Sequence, residues 1–529
     1  MRMGRGEAGV GCRRGVATLF VAAVAAVALA CGSDTSSVSP VVLERASADA
    51  GVPDAPDAPG VPDAAAPVAD VDVSGTWLGT LPLLPAPLRV VFNITRAQNG
   101  AWAGTLDSPD QFAIGIPITS IVVTGDRVAV GVEPGGIEYS GQLSADGQSL
   151  SGTFKQDAIE FPLTLDLQPG PLDYRRPQDP VPPFPYNTQN VTFASEDPGV
   201  TLAGTLTWPE GPGPFATVAL ITGSGAQDRN EELLNHRPFL VLADALARAN
   251  IAVLRYDDRG VGESTGDFAS ATTLDFAQDV RGAVNYLRSQ TTFPVSAIGL
   301  VGHSDGGLIA PLVADGNADV SFLVLLAGPS VDGKTIIISQ QRAIFAAEGA
   351  TPAELDAAEA QQEVVYTCLD DPEQATAVVD VCLRRELANQ GVTEPDLTPL
   401  LAELESPWMR WFLRYDPAPV LRRTSIPVLA LNGSLDLQVL ASLNLPVMEA
   451  AFQEAGNEQA TVSELPGLNH LFQHAVTGSP SEYGLIPETT APEVLTLIAD
   501  WIGNLSASAP PTDASDAGAP VSDGDAGAR

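Results

Sequence analysis

The chain has 529 residues, with 27 Lys+Arg against 65 Asp+Glu and a formal net charge of −38. So acidic a balance argues against nucleic acid and against anionic membrane surfaces as partners. Four histidines without ligand clustering and four cysteines without zinc spacing give no metal site, and none is expected.

Arg2, Arg5, Arg13 and Arg14 precede an apolar run from Val16 to Ala30. That run is shorter than the roughly 20 residues of a comfortable membrane span. It ends Ala28-Leu29-Ala30-Cys31-Gly32, which resembles a bacterial lipoprotein signal. The expectation is removal of residues 1–30, a lipid on the Cys31 thiol, and an exported protein anchored at a periplasmic or cell-surface membrane face. An ordinary secretory signal cut nearby is the alternative. Residues 31–70 carry repeated units such as Pro53-Asp54-Ala55 and Pro56-Asp57-Ala58 without hydrophobic period, which reads as a disordered tether. Residues 507–529 share that composition and that reading. Between them remain roughly 430 residues, enough for two domains with their own cores.

From 71 to 169 the pattern is all-β. Short apolar segments, Leu88–Phe92, Ala101–Leu106, Ile121–Thr124, Val128–Val132 and Phe161–Leu167, alternate with turn signals such as Gly125-Asp126 and Asp146-Gly147. Ser74-Gly75-Thr76-Trp77 is echoed by Ser151-Gly152-Thr153-Phe154. An up-and-down barrel or a small sandwich is expected. It holds no acid, base and nucleophile set, so a spacer or packing unit is expected, with binding of a hydrophobic group as the alternative. Residues 170–189, Pro-rich from Pro177 to Pro185, form a connector.

From 190 to 506 strands and helices alternate. Asn190–Trp208 reads as a hairpin. Strands are expected at Ala216–Ile221, Ile251–Tyr256, Ile298–Val301, Val320–Leu326, Pro427–Leu431 and Thr461–Leu465. Buried strands alternating with helices predict a mostly parallel sheet covered on both faces. Thr272 and Asp275 form a capping-box pattern before a helix reaching Ser289. The alternation stops between 331 and 423, where helix formers dominate; this is an inserted cap. Trp408, Trp411 and Phe412 give it an apolar face that would line a pocket or pack a core. Cys12 falls in the signal and Cys31 is taken by lipid. Cys368 and Cys382, 14 apart, are expected to pair in an exported protein, closing a loop worth about 3 kcal/mol.

The chemistry gathers at strand ends. Ile298–Val301 runs into Gly302-His303-Ser304-Asp305-Gly306 and then an apolar helical stretch. Strand, sharp turn and helix is the setting in which G-x-S-x-G presents a nucleophile, here Ser304. Gly262-Glu263-Ser264-Thr265-Gly266 matches the same pattern but follows a charged run and reads as a loop. A serine hydroxyl needs a base, and the base needs an anionic partner. Asp436 and His470 each follow a later strand, in the order Ser, Asp, His. His474 is a rival base, and Asp257 and Asp258 are rival acids expected instead to hold Arg259 and its turn. His303 and His236 are expected to pack. The amide of Asp305 is the expected oxyanion donor, joined by that of Ser224 or Gly225.

These pieces resemble the α/β-hydrolase superfamily. Gly223-Ser224-Gly225 with Gln227-Asp228-Arg229, Tyr256-Asp257 with Arg259-Gly260-Val261-Gly262, the Ser304 turn, Asn432-Gly433 with Asp436 to Val439, and Asn469 to Gln473 are together similar to bacterial esterases grouped with the serine-aminopeptidase-like hydrolases. The resemblance implies an α/β-hydrolase fold with a helical cap and a carboxylesterase acting on short acyl esters without cofactor. A peptidase with the same triad is the runner-up; a non-catalytic surface lipoprotein is the third reading.

Overall fold

A computed structural model describes residues 71–508, apart from 83–87, 112, 134, 157–158, 173, 372–373 and 395. The expected signal, Cys31, the tether and the tail from 509 onward lie outside the described residues.

The first nine strands form one antiparallel sheet. They are β1 (Gly75–Leu81), β2 (Leu88–Arg96), β3 (Trp102–Ser108), β4 (Ala113–Pro117), β5 (Ser120–Thr124), β6 (Arg127–Val132), β7 (Ile137–Leu143), β8 (Ser149–Gln156) and β9 (Ile159–Leu167). Their order across the sheet is β4-β3-β2-β1-β9-β8-β7-β6-β5, so the two edge strands are neighbours in the chain. The Ile118 amide donates to the Gly104 carbonyl at 3.0 Å and the Thr119 amide to the Gly131 carbonyl at 2.9 Å. The segment between β4 and β5 thus leaves one edge and joins the other, and the sheet curls round on itself rather than splitting into a sandwich. The interior is filled by side chains, among them Trp77, Phe92, Tyr139, Phe154 and Leu165. The repeated Ser-Gly-Thr-aromatic motif therefore supplies two of these rings, Trp77 from β1 and Phe154 from β8. Tyr139 Oη, inside the core, donates to the Leu150 carbonyl at 2.9 Å, so its hydroxyl is not left unpaired there.

Eight further strands build the second sheet: β10 (Tyr186–Ala194), β11 (Thr201–Pro209), β12 (Phe215–Ile221), β13 (Ile251–Tyr256), β14 (Val295–His303), β15 (Val320–Leu326), β16 (Val428–Gly433) and β17 (Ala460–Leu465). They lie in the order β10-β11-β13-β12-β14-β15-β16-β17. β11 pairs antiparallel with β10 and with β13; every later pairing is parallel. All residues of β12, β13 and β16 are buried, as near-continuous apolar runs in a sheet covered on both faces require. One core lies on each face. The helix Thr273–Ser289 starts where expected: Asp275 Oδ2 accepts from the Thr272 amide at 2.8 Å and from its hydroxyl at 2.7 Å.

Between β15 and β16 the chain leaves the sheet for the cap, which includes helices Gly333–Ala347, Pro352–Tyr366, Thr376–Asn389, Leu397–Glu405 and Pro407–Phe412. Cys368 and Cys382 are joined, with Cα atoms 5.7 Å apart, and Cys368 is part of the cap's core. That core continues into the body through Leu308 and Val439. Polar contacts fix the segment between the sheets. Tyr174 Oη donates to Asp107 Oδ2 of β3 at 3.0 Å. The Arg176 guanidinium donates to the carbonyls of Leu234, Gly484 and Ile486, at 2.8, 2.8 and 3.1 Å.

Candidate active site

The turn after β14 explains its own sequence. Ser304 has φ 53° and ψ −118°, a strained conformation for a residue with a side chain. A Cβ on Gly302 would fall 2.0 Å from the Gly306 carbonyl oxygen, and one on Gly306 would fall 2.2 Å from that of Ile221. Only glycines let the strand turn into the helix Asp305–Ala314 this sharply. The Ser304 amide donates to the Leu326 carbonyl at 2.8 Å, which ties the turn to β15.

Asp436 sits in the turn after β16 and is buried. Its Oδ1 accepts from the amides of Gln438 and Val439, at 2.8 and 2.9 Å. That leaves Oδ2 aimed at His470 Nδ1, 2.8 Å away. His470 lies in the turn after β17 and is also buried. Asn469 shapes this turn, its Oδ1 accepting from the amides of Leu471 and Gln473 at 3.0 and 2.9 Å. With Asp436 on Nδ1, the other ring nitrogen, Nε2, is the one available to act as a base. Among the described residues no hydrogen bond joins Ser304 Oγ to His470.

Ser304 opens on a small cavity of about 30 Å³, lined also by Ser224, Ile336, Gln340, Trp408 and Phe412. Trp408 and Phe412 stack at 4.9 Å, so this part of the cap does form the pocket wall. Trp411 instead stacks on Tyr415 at 4.3 Å and packs against the cap core. Trp408 Nε1 also donates to Asp305 Oδ2 at 3.2 Å. Burial pushes the Asp305 carboxyl up to about 6, against the Trp408 indole and the Thr273 hydroxyl, which favour the carboxylate. The loop after β12 lies close over Ser304, since a Cβ on Gly223 would approach Ser304 Cβ to 3.2 Å. Of the two loop amides expected to join Asp305, Ser224 belongs to the residue lining the Ser304 cavity; Gly225, at φ 92°, borders a neighbouring cavity under the loop.

Counted within their own domain, the strands of the second sheet lie 1-2-4-3-5-6-7-8, with the second antiparallel. Ser304 follows the fifth, Asp436 the seventh and His470 the eighth, all at the carboxyl edge. Residues 237–377 match the Hydrolase_4 family, described as serine aminopeptidase, S33. The second domain has the α/β-hydrolase fold. It is similar to esterase EstD of Thermotoga maritima, 25% identical over 300 residues, an alignment covering 56% of this chain and 63% of that protein. The chain therefore spans under two thirds of that relative's length. Among solved structures, the Pyrococcus furiosus esterase Pf2001 aligns with TM-score 0.37 and 14% identity, over 60% of this chain and 91% of that one. Est1E of Butyrivibrio proteoclasticus, solved with ferulic acid bound, aligns with TM-score 0.35 and 17% identity, over 60% and 97%.

The rival residues have other occupations. His474 is exposed and pairs with Glu488 and Glu493, at 2.9 and 3.0 Å. His236 is enclosed by Thr489, the Tyr483 carbonyl and Gln473, and burial pushes its pKa down to about 4. Ser264 Oγ donates to the Asp257 carbonyl at 2.7 Å and accepts from the Ala203 amide at 2.9 Å. The expectation that Asp257 and Asp258 hold Arg259 is corrected. Asp257 takes a two-pronged bond from Arg229, at 2.9 and 2.6 Å, and Asp258 holds the Thr222 hydroxyl and the Gln227 amide. Arg259 reaches the buried Asp279 and the half-buried Asp197. A planar guanidinium suits such paired acceptors, and the nearest carboxylate in sequence is not the one in line with it.

Sequence reasoning missed Glu231. It is buried, at φ 53°, and its Oε1 meets both the Gly223 amide, at 2.8 Å, and His303 Nδ1, at 2.9 Å. His303 was expected only to pack; its Nε2 lies 3.0 Å from the His470 carbonyl. Burial disfavours the His303 imidazolium, but Glu231 and the His470 carbonyl outweigh it and raise the pKa. The one sequence signal was a pair of glutamates, Glu231-Glu232, closing the loop that starts at Gly223; nothing in it says which one turns inward.

Proposed function

We propose that this protein is a serine hydrolase that cleaves carboxylic esters of short acyl chains through an acyl-enzyme. The Asp436–His470 hydrogen bond, set at the same sheet edge as the strained Ser304 turn, carries the reading. Ser304 Oγ attacks the ester carbonyl while His470 Nε2 takes its proton. The amide of Asp305, with that of Ser224 or Gly225, faces the developing oxyanion. Collapse expels the alcohol, which receives the proton from His470. Water then attacks the acyl-Ser304 ester, giving its proton to His470, and the acid leaves as Ser304 regains a hydrogen. Asp436 holds the tautomer and stabilises the imidazolium in both halves. The similarity to esterase EstD supports ester substrates. The cavity at Ser304, of only about 30 Å³ and walled by the cap, supports small ones.

The test is hydrolysis of p-nitrophenyl esters of increasing acyl length by the mature protein without lipid. Activity that falls with chain length and vanishes in Ser304→Ala is the expected result. Full activity in Ser304→Ala would overturn the reading. Labelling of Ser304 by a fluorophosphonate without turnover of any ester would move the assignment to aminoacyl amides.

The same proposal places the enzyme outside the cytoplasm, held by lipid on Cys31. The support is the Arg-flanked apolar run ending at Ala30-Cys31-Gly32. Mass spectrometry of the mature N-terminus should find a diacylglyceryl-modified Cys31, and Cys31→Ala should release the protein from membranes.

A further inference from the structure

Two carboxylate–imidazole pairs lie side by side in this molecule. The rings of His303 and His470 are 4.8 Å apart, centre to centre. Asp436 serves His470, and Glu231 serves His303.

The second pair has a constraint of its own. His303 Nε2 faces a backbone carbonyl, which can only accept. His303 Nδ1 faces Glu231 Oε1, which already accepts from the Gly223 amide. A neutral imidazole has one N–H and can satisfy one of these partners. An imidazolium has two and satisfies both. Glu231 and His303 are both buried, so the charges face each other with little water between them. The chain of bonds spans three loops: Gly223 in the loop over the nucleophile, His303 in the Ser304 turn, and the carbonyl of His470.

We propose that Glu231 and His303 form a buried ion pair that positions the catalytic machinery, locking the oxyanion loop and the His470 turn to the Ser304 elbow. Both are positioning residues; neither touches substrate. The inference rests on the Ser304–His470–Asp436 reading above and adds to it what fixes His470 from its backbone side. Asp436 controls the ring of His470, and His303 controls where the main chain carries that ring. Gly223 is held in the same way, so the amides after it are set before substrate arrives. Preorganised donors are what make an oxyanion hole effective.

Glu231→Gln is the informative change, because it keeps shape and polarity but removes the charge. The glutamine oxygen can still accept from Gly223. His303 then becomes neutral and must give up one of its two bonds. A hydrogen bond to a charged group is typically worth about 10- to 100-fold. The expected result is a fall of that size in kcat on a short p-nitrophenyl ester, with KM changed less than about threefold and the melting temperature close to that of the parent. His303→Gln should give a similar fall. The double variant should be no worse than the poorer single one, since both cut one chain. Two independent multiplicative losses would mean the residues do not act as a pair.

Nitrogen-15 NMR of labelled histidine supplies the readout that a mere packing role would not move. His303 should show two protonated ring nitrogens at pH 8, and Glu231→Gln should convert it to a neutral ring. A neutral His303 in the parent protein at pH 8 would overturn the ion pair. An unchanged kcat in Glu231→Gln, with Ser304→Ala inactive, would overturn the positioning role and leave the serine-hydrolase reading intact. If Ser304→Ala were active, that reading would fall, while the NMR signature would still report on the pair.

Discussion

The two sheets of this protein use their side chains in opposite ways. The curled antiparallel sheet turns one face inward and fills it with Trp77, Phe92, Tyr139 and Leu165, so its chemistry is its own core. The mostly parallel sheet gives both faces to helices and is left with its ends. There the strands stop, backbone amides and carbonyls lack sheet partners, and turns can hold strained or charged groups. Ser304, Asp436 and His470 all stand at such ends. An antiparallel sheet has no row of like-directed strand ends, because neighbouring strands run in opposite senses. Substitutions in the first sheet should therefore change stability and leave chemistry alone, and those at the second sheet's edge should do the reverse.

The largest effect tests the second half of that contrast. Asp436→Asn keeps the amides of Gln438 and Val439 within reach of an oxygen but offers His470 Nδ1 the wrong partner. A drop of about 10⁴-fold in kcat is expected. The melting temperature should move little, because the volume is unchanged. Stopped-flow or steady-state ester hydrolysis beside a thermal melt would check both.

Trp77→Ala tests the first half. Trp77 is 1% exposed and its Nε1 donates to the Val73 carbonyl at 2.9 Å. Truncation should destabilise the first domain by about 3–5 kcal/mol. The kcat measured where both domains stay folded should equal that of the parent. An equal loss of kcat would show that the curled sheet supports the site, and would break the comparison.

The contrast between the sheets was partly legible in advance. Alternation over Val128–Val132 marks a half-buried strand, and a solid apolar run such as Ala216–Ile221 marks one covered on both sides. The parallel sheet was the easier of the two, since its strands are separated by helices with caps like Thr272 and Asp275. In the first domain β4 and β7 carry no such pattern, and β1 and β8 show only their shared Ser-Gly-Thr-aromatic motif. Ile137–Leu143 reads Ile-Glu-Tyr-Ser-Gly-Gln-Leu, where only Tyr139 is fully buried. One aromatic anchor with polar neighbours carries no period to detect. At the site, Ser304 and Asp305 sit in the motif itself, and Asp436 and His470 follow strands that could be read. Glu231 and Arg259 could not be placed, because their partners come from distant elements: His303, at the end of β14, is 72 residues from Glu231, and Asp279, on the helix Thr273–Ser289, is 20 from Arg259. Polar pairing across loops leaves no periodic trace.

The cap stands between the two sheets in character: helical, disulfide-clipped, yet part of the pocket wall. The Cys368–Cys382 bond closes a short loop within it. Breaking it by Cys382→Ser should destabilise the cap by about 3 kcal/mol. Since Trp408 and Phe412 reach the pocket from the same cap core, KM for longer acyl esters should rise more than kcat falls. An unchanged KM across the ester series would mean that the pocket wall is held from the body alone.

The smallest effect concerns Asp305, where a buried carboxyl serves the edge of the second sheet and the cap together. Its folded pKa of about 6 lies above the ordinary value of about 3.9. A group whose pKa rises on folding binds its proton more tightly in the folded state. Its contribution to stability is therefore full below about pH 4 and is lost as pH rises through 6. Above that point the buried carboxylate opposes the fold by up to about 3 kcal/mol, since each pKa unit is about 1.4 kcal/mol. Asp305→Asn removes the charge and keeps an oxygen for the Trp408 indole. Asp258 and Asp279 border the cavity next to Asp305, and their pKa values are also raised by burial, so the parent's own pH trend mixes three groups. The difference between parent and variant isolates one. Asp305→Asn should melt higher than the parent at pH 8, and the gap should close toward pH 4. A gap that stayed constant with pH would assign the stabilisation to packing rather than to the proton, and the cap would then rest on the elbow without an electrostatic penalty at neutral pH.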